Sequence, residues 1–243
     1  MTATLMLGLG LAGAARGDLI LFSDASGLSA EVEFTIINGG NGLQIRVRNT
    51  STGVPGGFMA ADQLLTGVSW DAGAIGINPG DVQITGGSAV TGANSQSWNF
   101  DILNVGANTD VSGEYGFGNA DGSGALPNFV SGNSAGATPY GGSNLDGPGG
   151  LDGPQAGLVS SAFSVPLGGL GAIEDEIIHT IALNQTIASL DVIIGNGVQI
   201  EFGSDAAFLF NVPAPATLPA AALACLLGAS RNRARHRTAR ASR

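Results

Sequence analysis

Apolar and polar residues alternate over two neighbouring stretches near the start of the chain, residues 29–36 and 43–48. The stretch between them, 38–42, reads Asn-Gly-Gly-Asn-Gly and consists of residues that favour turns. Alternation with a period of two on both sides of a turn predicts a β-hairpin with one buried face. The buried face would carry the apolar set: Ala30, Val32, Phe34, Ile36, Leu43, Ile45 and Val47.

The polar face of the predicted hairpin carries opposite charges on its two strands. Glu31 and Glu33 belong to the first strand, and Arg46 and Arg48 belong to the second. Cross-strand ion pairs contribute roughly 0.2–1 kcal/mol each and disfavour a slipped register. We therefore interpret these four residues as a device that fixes the strand register rather than as a binding site.

Further strand-like runs follow along the chain at short intervals: residues 64–70, 81–85, 97–103, 157–165, 176–183, 187–194, 198–202 and 206–210. Nearly every connection contains Gly, Asn, Asp or Pro, and the Gly-Asn-Gly at 195–197 predicts a second hairpin. No segment of the body shows a convincing helical apolar stripe. The pattern predicts an all-β fold, an antiparallel β-sandwich, with a jelly-roll-like arrangement as one variant.

Residues 119–157 differ from the rest because glycine, proline, asparagine and serine dominate them. This composition predicts a long surface loop within a single domain that spans residues 18–211. Long loops often carry function, so a binding loop is the alternative. Phe129 and Tyr140 would then stack on sugars. Three carboxylates would ligate calcium through oxygen, namely Asp121, Asp146 and Asp152.

Charge is distributed unevenly along the chain. It has no lysine, and all 19 of its acidic residues lie within residues 18–217. Because only Arg46 and Arg48 oppose these 19 acids, the segment has a net charge of −17. Such a body repels phosphates, which excludes nucleic acid as a partner. The single cysteine, Cys225, rules out an intramolecular disulfide and a cysteine-based metal site.

The N-terminal residues 1–17 have the features of a signal peptide. The apolar run at 5–15 is too short to cross a membrane, and small residues follow it, which favours cleavage after Gly17, with Ala14 as the alternative. The same segment contains a G-x-G-x-x-G match at 8–13. No strand precedes this match, so we do not predict a nucleotide-binding site.

The C-terminal residues 212–243 have three parts in a fixed order. A Pro-Ala-Pro step comes first, in Val212, Pro213, Ala214, Pro215, Ala216 and Thr217. An apolar run at 218–229 follows, and the end is rich in arginine, with Arg231, Arg233, Arg235 and Arg237. The low-charge segment 212–230 has 19 residues, which is long enough for a transmembrane helix. The arginines would stop transfer and stay in the cytoplasm, which leaves the body outside.

This three-part order resembles the PEP-CTERM sorting signal of Gram-negative bacteria. Pro213 and Pro215 match the family's prolines, and Ala214 stands where the family has glutamate. The resemblance implies export by the Sec machinery, a transient anchor in the inner membrane, and cleavage near 213–217 by an exosortase-type membrane protease. The protein would then be released or transferred to the cell surface. The alternatives are a plain tail anchor with a proline-rich linker and a polybasic tail that binds lipid.

Candidate catalytic residues are few. Ser134 lies in a G-x-S-x-G match at 132–136, but its surroundings lack the strand–turn–helix pattern that exposes such a nucleophile. His179 follows the Glu-Asp-Glu of 174–176, and we interpret this group as the polar start of a strand with a partly exposed histidine. We therefore predict no catalytic residue and no cofactor, and we leave metal ligands unassigned.

The sequence leads to one main hypothesis and two alternatives. The main hypothesis is an exported, non-enzymatic protein of the cell surface or extracellular matrix, with a structural or adhesive role within exopolysaccharide. The first alternative is a carbohydrate-binding module, assisted by calcium, that presents aromatic rings on a concave face: Trp70, Trp98, Tyr115 and Tyr140. The second is a secreted hydrolase, which requires a cleft that gathers two acids or brings Ser134 beside His179.

Overall fold

The computed structural model describes residues 17–52, 64–71, 82, 84–98, 105–119, 126, 128–132, 157–160, 172–203 and 207–211. These residues belong to one compact unit and form two β-sheets, so the all-β prediction is confirmed. The described strands are β1 (Gly17–Ser23), β2 (Ser29–Ile37), β3 (Gly42–Asn49), β4 (Leu65–Asp71), β5 (Ile84–Thr91), β6 (Gln96–Trp98), β7 (Gly116–Asn119), β8 (Asn128–Ser131), β9 (Leu158–Val159), β10 (Ala172–Glu174), β11 (Glu176–Leu183), β12 (Gly197–Phe202) and β13 (Ala207–Asn211). The described residues also include one short helix, α1 (Asp191–Ile194), and two 3₁₀ turns, Asn38–Gly40 and Ser112–Glu114.

The first sheet has the strand order β1-β2-β3-β11-β5, and all of its pairs are antiparallel. The predicted hairpin is confirmed as β2 and β3, with Phe34 opposite Ile45. The 3₁₀ turn Asn38–Gly40 connects these two strands, and both of its glycines adopt a positive φ. β11 then pairs with β3, although the two strands lie far apart in the sequence.

The second sheet is built around β4. One edge of β4 pairs with β12, which in turn pairs with β13. The other edge is shared, because β8 pairs along residues 67–70 and β9 pairs at Leu65. β8 continues to β7, whereas β9 continues to β10 and β6. β9 and β10 run parallel, and the remaining described pairs of this sheet are antiparallel.

The hydrophobic core lies between the inward faces of the two sheets. One row that crosses four strands of the first sheet is buried throughout: Ile20, Val32, Val47 and Ile177. Phe34 of this sheet meets Trp70 of the second sheet edge to face, with ring centroids 5.7 Å apart. Side chains of this size contribute about 1.5–3 kcal/mol each when fully buried. The packing confirms the sandwich character of the predicted fold.

Strands occupy most of the predicted positions. Four of them begin and end within one residue of the expected bounds: β4, β11, β12 and β13. β5 shares only its first two residues, 84 and 85, with the predicted strand at 81–85, and it continues to Thr91. β6 and β9 coincide with the first part of the predicted 97–103 and 157–165, and the later residues of both runs lie outside the described part.

The predicted strand at 187–194 and the hairpin around 195–197 are wrong. Asp191–Ile194 is the helix α1, which buries its two isoleucines. A short apolar run fits a turn of helix as well as a strand, so periodicity alone could not separate them. β12 pairs instead with β4 and β13, and Gly197 at its start has a φ of 136°, a conformation that favours glycine.

β1 is an edge strand of the first sheet, β13 is an edge strand of the second, and the two strands adjoin. The side-chain amide of Asn211 donates a hydrogen bond of 2.9 Å to the backbone carbonyl of Leu21. This bond connects the last described residue to the first strand. Both ends of the described chain therefore meet at one seam between the sheets.

Candidate functional site

The outer face of the first sheet carries the charged residues that the sequence singled out. Glu31 lies opposite Arg48, and Glu33 lies opposite Arg46, as predicted. Arg46 Nη1 is 2.9 Å from Glu33 Oε2. Arg48 Nη1 is 3.5 Å from Glu31 Oε2. The cross-strand pairing predicted from the hairpin pattern is confirmed.

Each arginine also reaches a second acid that the sequence did not connect to it. Arg46 Nη2 lies 2.8 Å from Glu176 Oε2. Arg48 Nη2 lies 3.0 Å from Asp175 Oδ1. These acids follow their arginines by 130 and 127 residues, and they meet because β11 pairs with β3. The one sequence feature that pointed to these two contacts was the acidic group at 174–176, at the start of a predicted strand.

We call this set the charge ladder, and it consists of Glu31, Glu33, Arg46, Arg48, Asp175 and Glu176. The side chain of Glu176 is 10% exposed, against 43% for Arg46. The hydrogen bond to Glu176 is the largest effect on the pKa of Arg46 and raises it. The hydroxyl of Ser95 donates to the carbonyl of Glu176 at 2.7 Å and accepts from its N–H at 3.2 Å. The ion pair between Arg46 and the nearly buried carboxylate connects β3 to β11, and Ser95 holds the backbone at Glu176.

A shallow depression of about 190 Å³ lies over the charge ladder. Its lining consists of Leu19, Glu31, Glu33, Arg46 and Arg48. The charged groups that line it are bonded to one another, so the depression presents paired charges to a ligand. This arrangement suits the predicted role in strand register.

Next to the depression, hydrophobic side chains reach the solvent. Leu19 and Leu21 alternate with the buried residues of β1, and each is 59% exposed. Phe208 and Phe210 of the adjoining β13 are 39% and 57% exposed. The ring of Phe210 covers Gly197, where a Cβ atom would collide with it. We call the two leucines and two phenylalanines the apolar seam patch.

The predicted polar strand start is confirmed, because β11 begins at Glu176, but the predicted partial exposure of His179 is wrong. This residue is 3% exposed on the inner face of β11. Its ring packs edge-on against Tyr115 and Phe117, at centroid distances of 4.7 and 6.1 Å. Burial lowers the pKa of His179 to about 3, and Nδ1 has no hydrogen-bond partner among the described residues. Because Glu176 lies three positions earlier on a strand, it faces the other way, and the two do not form a site.

Three aromatic residues considered for sugar binding are buried. Trp70 and Tyr115 are 0% and 6% exposed, so neither ring can form the proposed concave face. Phe129 is fully buried in β8, which lies inside the segment 119–157 that was predicted to be a loop. It lies opposite Ser69 of β4. The side chain of Trp98 and the residue Tyr140 lie outside the described part.

The other predicted site residues lie outside the described ranges. These are Ser134, the carboxylates Asp121, Asp146 and Asp152, the step at 212–217, and the four arginines from Arg231 to Arg237. Within the described ranges, no three His, Cys, Asp or Glu side chains gather in a way that could hold a metal ion. The same ranges contain no helix with the length and hydrophobicity that a membrane crossing requires.

Comparison with known proteins gives no relative for this chain. No family model matches it, and no curated protein or solved structure shows significant similarity to it.

Proposed function

We propose that the chain is an exported, non-enzymatic protein of the cell surface or extracellular matrix, anchored briefly by its C-terminal segment and processed by an exosortase-type protease. The observation that carries the proposal is the order of a proline step, an apolar run and an arginine-rich end within 212–243. The N-terminal segment 1–17 would direct export through the Sec machinery.

Processing at both ends would leave the described strands almost intact. β1 begins at Gly17, the residue after which the signal peptide would be cleaved. β13 ends at Asn211, one residue before Val212. The two cleavages would together remove only Gly17 from the described strands. The released protein would therefore keep both sheets and the core between them.

A structural or adhesive role suits the body of the protein. Packed side chains fill the described core, and the charge ladder pairs its own charges on the outer face. The net charge of −17 over residues 18–217 keeps such a body solvated in the extracellular exopolysaccharide. The jelly-roll arrangement, the membrane helix and a calcium-assisted sugar site in 119–157 are predictions from the sequence alone.

Expression of the full chain in a Gram-negative host, with and without an exosortase-type protease, tests the proposal. We expect a membrane-held form without the protease and a shorter, released form with it, whose intact mass ends between residues 213 and 217. Replacing both Pro213 and Pro215 by Ser should block processing and keep the protein membrane-held. The control Pro127→Ser, outside the tail, should be processed normally. A released protein that retains residues 218–243 would refute the proposal.

A further inference from the structure

The exposed large hydrophobic side chains of the described part lie on two strands and form the apolar seam patch: Leu19, Leu21, Phe208 and Phe210. These residues occupy the adjoining outer strands β1 and β13, which the bond from Asn211 to the Leu21 carbonyl connects. Single exposed hydrophobic residues are common on soluble proteins, whereas a group on neighbouring strands indicates a contact surface.

The apolar seam patch lies where the chain leaves the sandwich. Asn211 ends β13, and the predicted membrane run begins at Leu218, seven residues later. Seven fully extended residues span about 25 Å. A folded domain of this length has a diameter of roughly 40 Å. If the tail is anchored as proposed, the end of β13 would stay within about 25 Å of the bilayer that holds it.

The two acids beside the patch are paired with arginines, although each arginine also pairs with a second acid of the charge ladder. Glu31 and Glu33, the register partners of the two leucines, are bonded to the two arginines of β3. Unpaired carboxylates at this position would be repelled by anionic headgroups. The pairing reduces that repulsion on an otherwise acidic body.

We propose that the apolar seam patch docks on the outer surface of the bilayer that holds the tail, with its two leucines and two phenylalanines in the headgroup region. Leucine and phenylalanine are the side chains that interfacial segments insert at this depth. The inference rests on the proposed function, because it requires the anchored tail. Four side chains bind a bilayer only weakly without a tether, so cleavage of the tail would also free the patch.

The docking can be tested with the full chain in vesicles of phosphatidylethanolamine and a minority of phosphatidylglycerol. Cys225→Ser removes the native cysteine, and one new cysteine then carries a fluorophore. Ser23 is exposed on β1 beside the patch, and the matched control Ser88 is exposed on β5, at the opposite edge of the same sheet. A nitroxide on the lipid headgroups should quench the label at Ser23→Cys several-fold more strongly than at Ser88→Cys. Combining Leu21→Ser with Phe210→Ser should remove the difference.

Resistance of the chain to alkaline carbonate extraction reports separately whether the tail is inserted. An inserted chain with equal quenching at both positions overturns the docking and leaves the proposed function standing. If alkaline carbonate extracts the chain, both the anchoring and the docking are overturned. If Ser23→Cys instead crosslinks two copies in vesicles and shows no lipid quenching, the patch binds a second copy and the docking is also overturned.

Discussion

The buried imidazole of His179 should make the protein sensitive to acid. Its pKa is lowered to about 3 from 6.5, so protonation favours the unfolded chain. The stability that depends on the neutral imidazole is complete above about pH 6.5 and is lost as the pH falls toward 3. Between about pH 7 and pH 5, the free energy of unfolding should fall by about 2 kcal/mol from this group. Urea unfolding at both pH values measures the loss.

A pair of histidine variants separates this effect from the titration of carboxylates. In His179→Leu, the fall in the free energy of unfolding between about pH 7 and pH 5 should be smaller by about 2 kcal/mol, because the titrating group is gone. His236→Gln, which replaces the other histidine of the chain, should behave as the wild type. An unchanged pH dependence in His179→Leu would show that the imidazole is not buried in its neutral form.

The position of His179 was predictable from alternation and was missed because of its polarity. Ile177 and Ile181 lie two positions away on either side, and both are buried on the same face. β11 is paired on both edges, with β3 and β5, so it cannot rotate to expose one residue. The aromatic contact with Tyr115 could not be read from the sequence, because it depends on a loop packed against the sheet.

At the scale of elements, the charge ladder should hold β11 to β3 mainly through Arg46. Arg46→Gln leaves the nearly buried Glu176 without its charged partner, and it should lower the free energy of unfolding by about 1–3 kcal/mol. Arg48→Gln is the matched control, since its acids are more exposed, and it should cost less than about 1 kcal/mol. Urea denaturation measures both. Equal costs would contradict the special role of Glu176.

Two adjacent glycines of β5 should respond differently to the same substitution. A Cβ atom at Gly87 would collide with the ring of Phe117, whereas a Cβ atom at Gly86 meets open space. Gly87→Ala should therefore destabilise the protein by about 1–3 kcal/mol. Gly86→Ala should be neutral or stabilise it by up to about 1 kcal/mol, since it restricts the unfolded chain. Thermal unfolding followed by circular dichroism compares them, and similar midpoints would contradict the packing of Phe117 on β5.

The elements differ in how far the sequence could predict them. The hairpin of β2 and β3 is local, so alternation and a turn were enough to give its strands and register. The apolar run at 187–194 lacks alternation, and its surroundings decided in favour of the helix α1. The second half of the charge ladder depends on the pairing of β11 with β3, which no local pattern encodes.

At the scale of the whole molecule, the C-terminal segment should be dispensable for folding. A chain that ends after Asn211 keeps every described strand, so its free energy of unfolding should stay within about 0.5 kcal/mol of that of the full chain. A chain that ends after Gly203 lacks β13 and uncovers one edge of β12. It should lose more than about 2 kcal/mol, because Leu209 and its neighbours no longer cover the core. Denaturant unfolding of both truncations checks the difference, and destabilisation after the first cut would contradict the independence of the body.

The fold class followed from the sequence, but the strand order did not. Period-two alternation and glycine-rich turns indicate where strands form and which of their faces is buried. They do not indicate which strands pair, so the position of β11 between β3 and β5 is known only from the structure. The apolar seam patch was missed for the same reason, since its halves at residues 19–21 and 208–210 meet only when the outer strands of the two sheets adjoin.

The bond between Asn211 and Leu21 also has a mechanical meaning. If the protein is held by its tail as proposed, force would enter the body at Asn211, the end of β13. The side-chain amide of Asn211 would transfer part of that force to β1, a strand of the other sheet, in addition to the five-residue pairing of β12 with β13. In the proposed anchored form, this contact between the sheets would therefore oppose the separation of β13 from β12 under force.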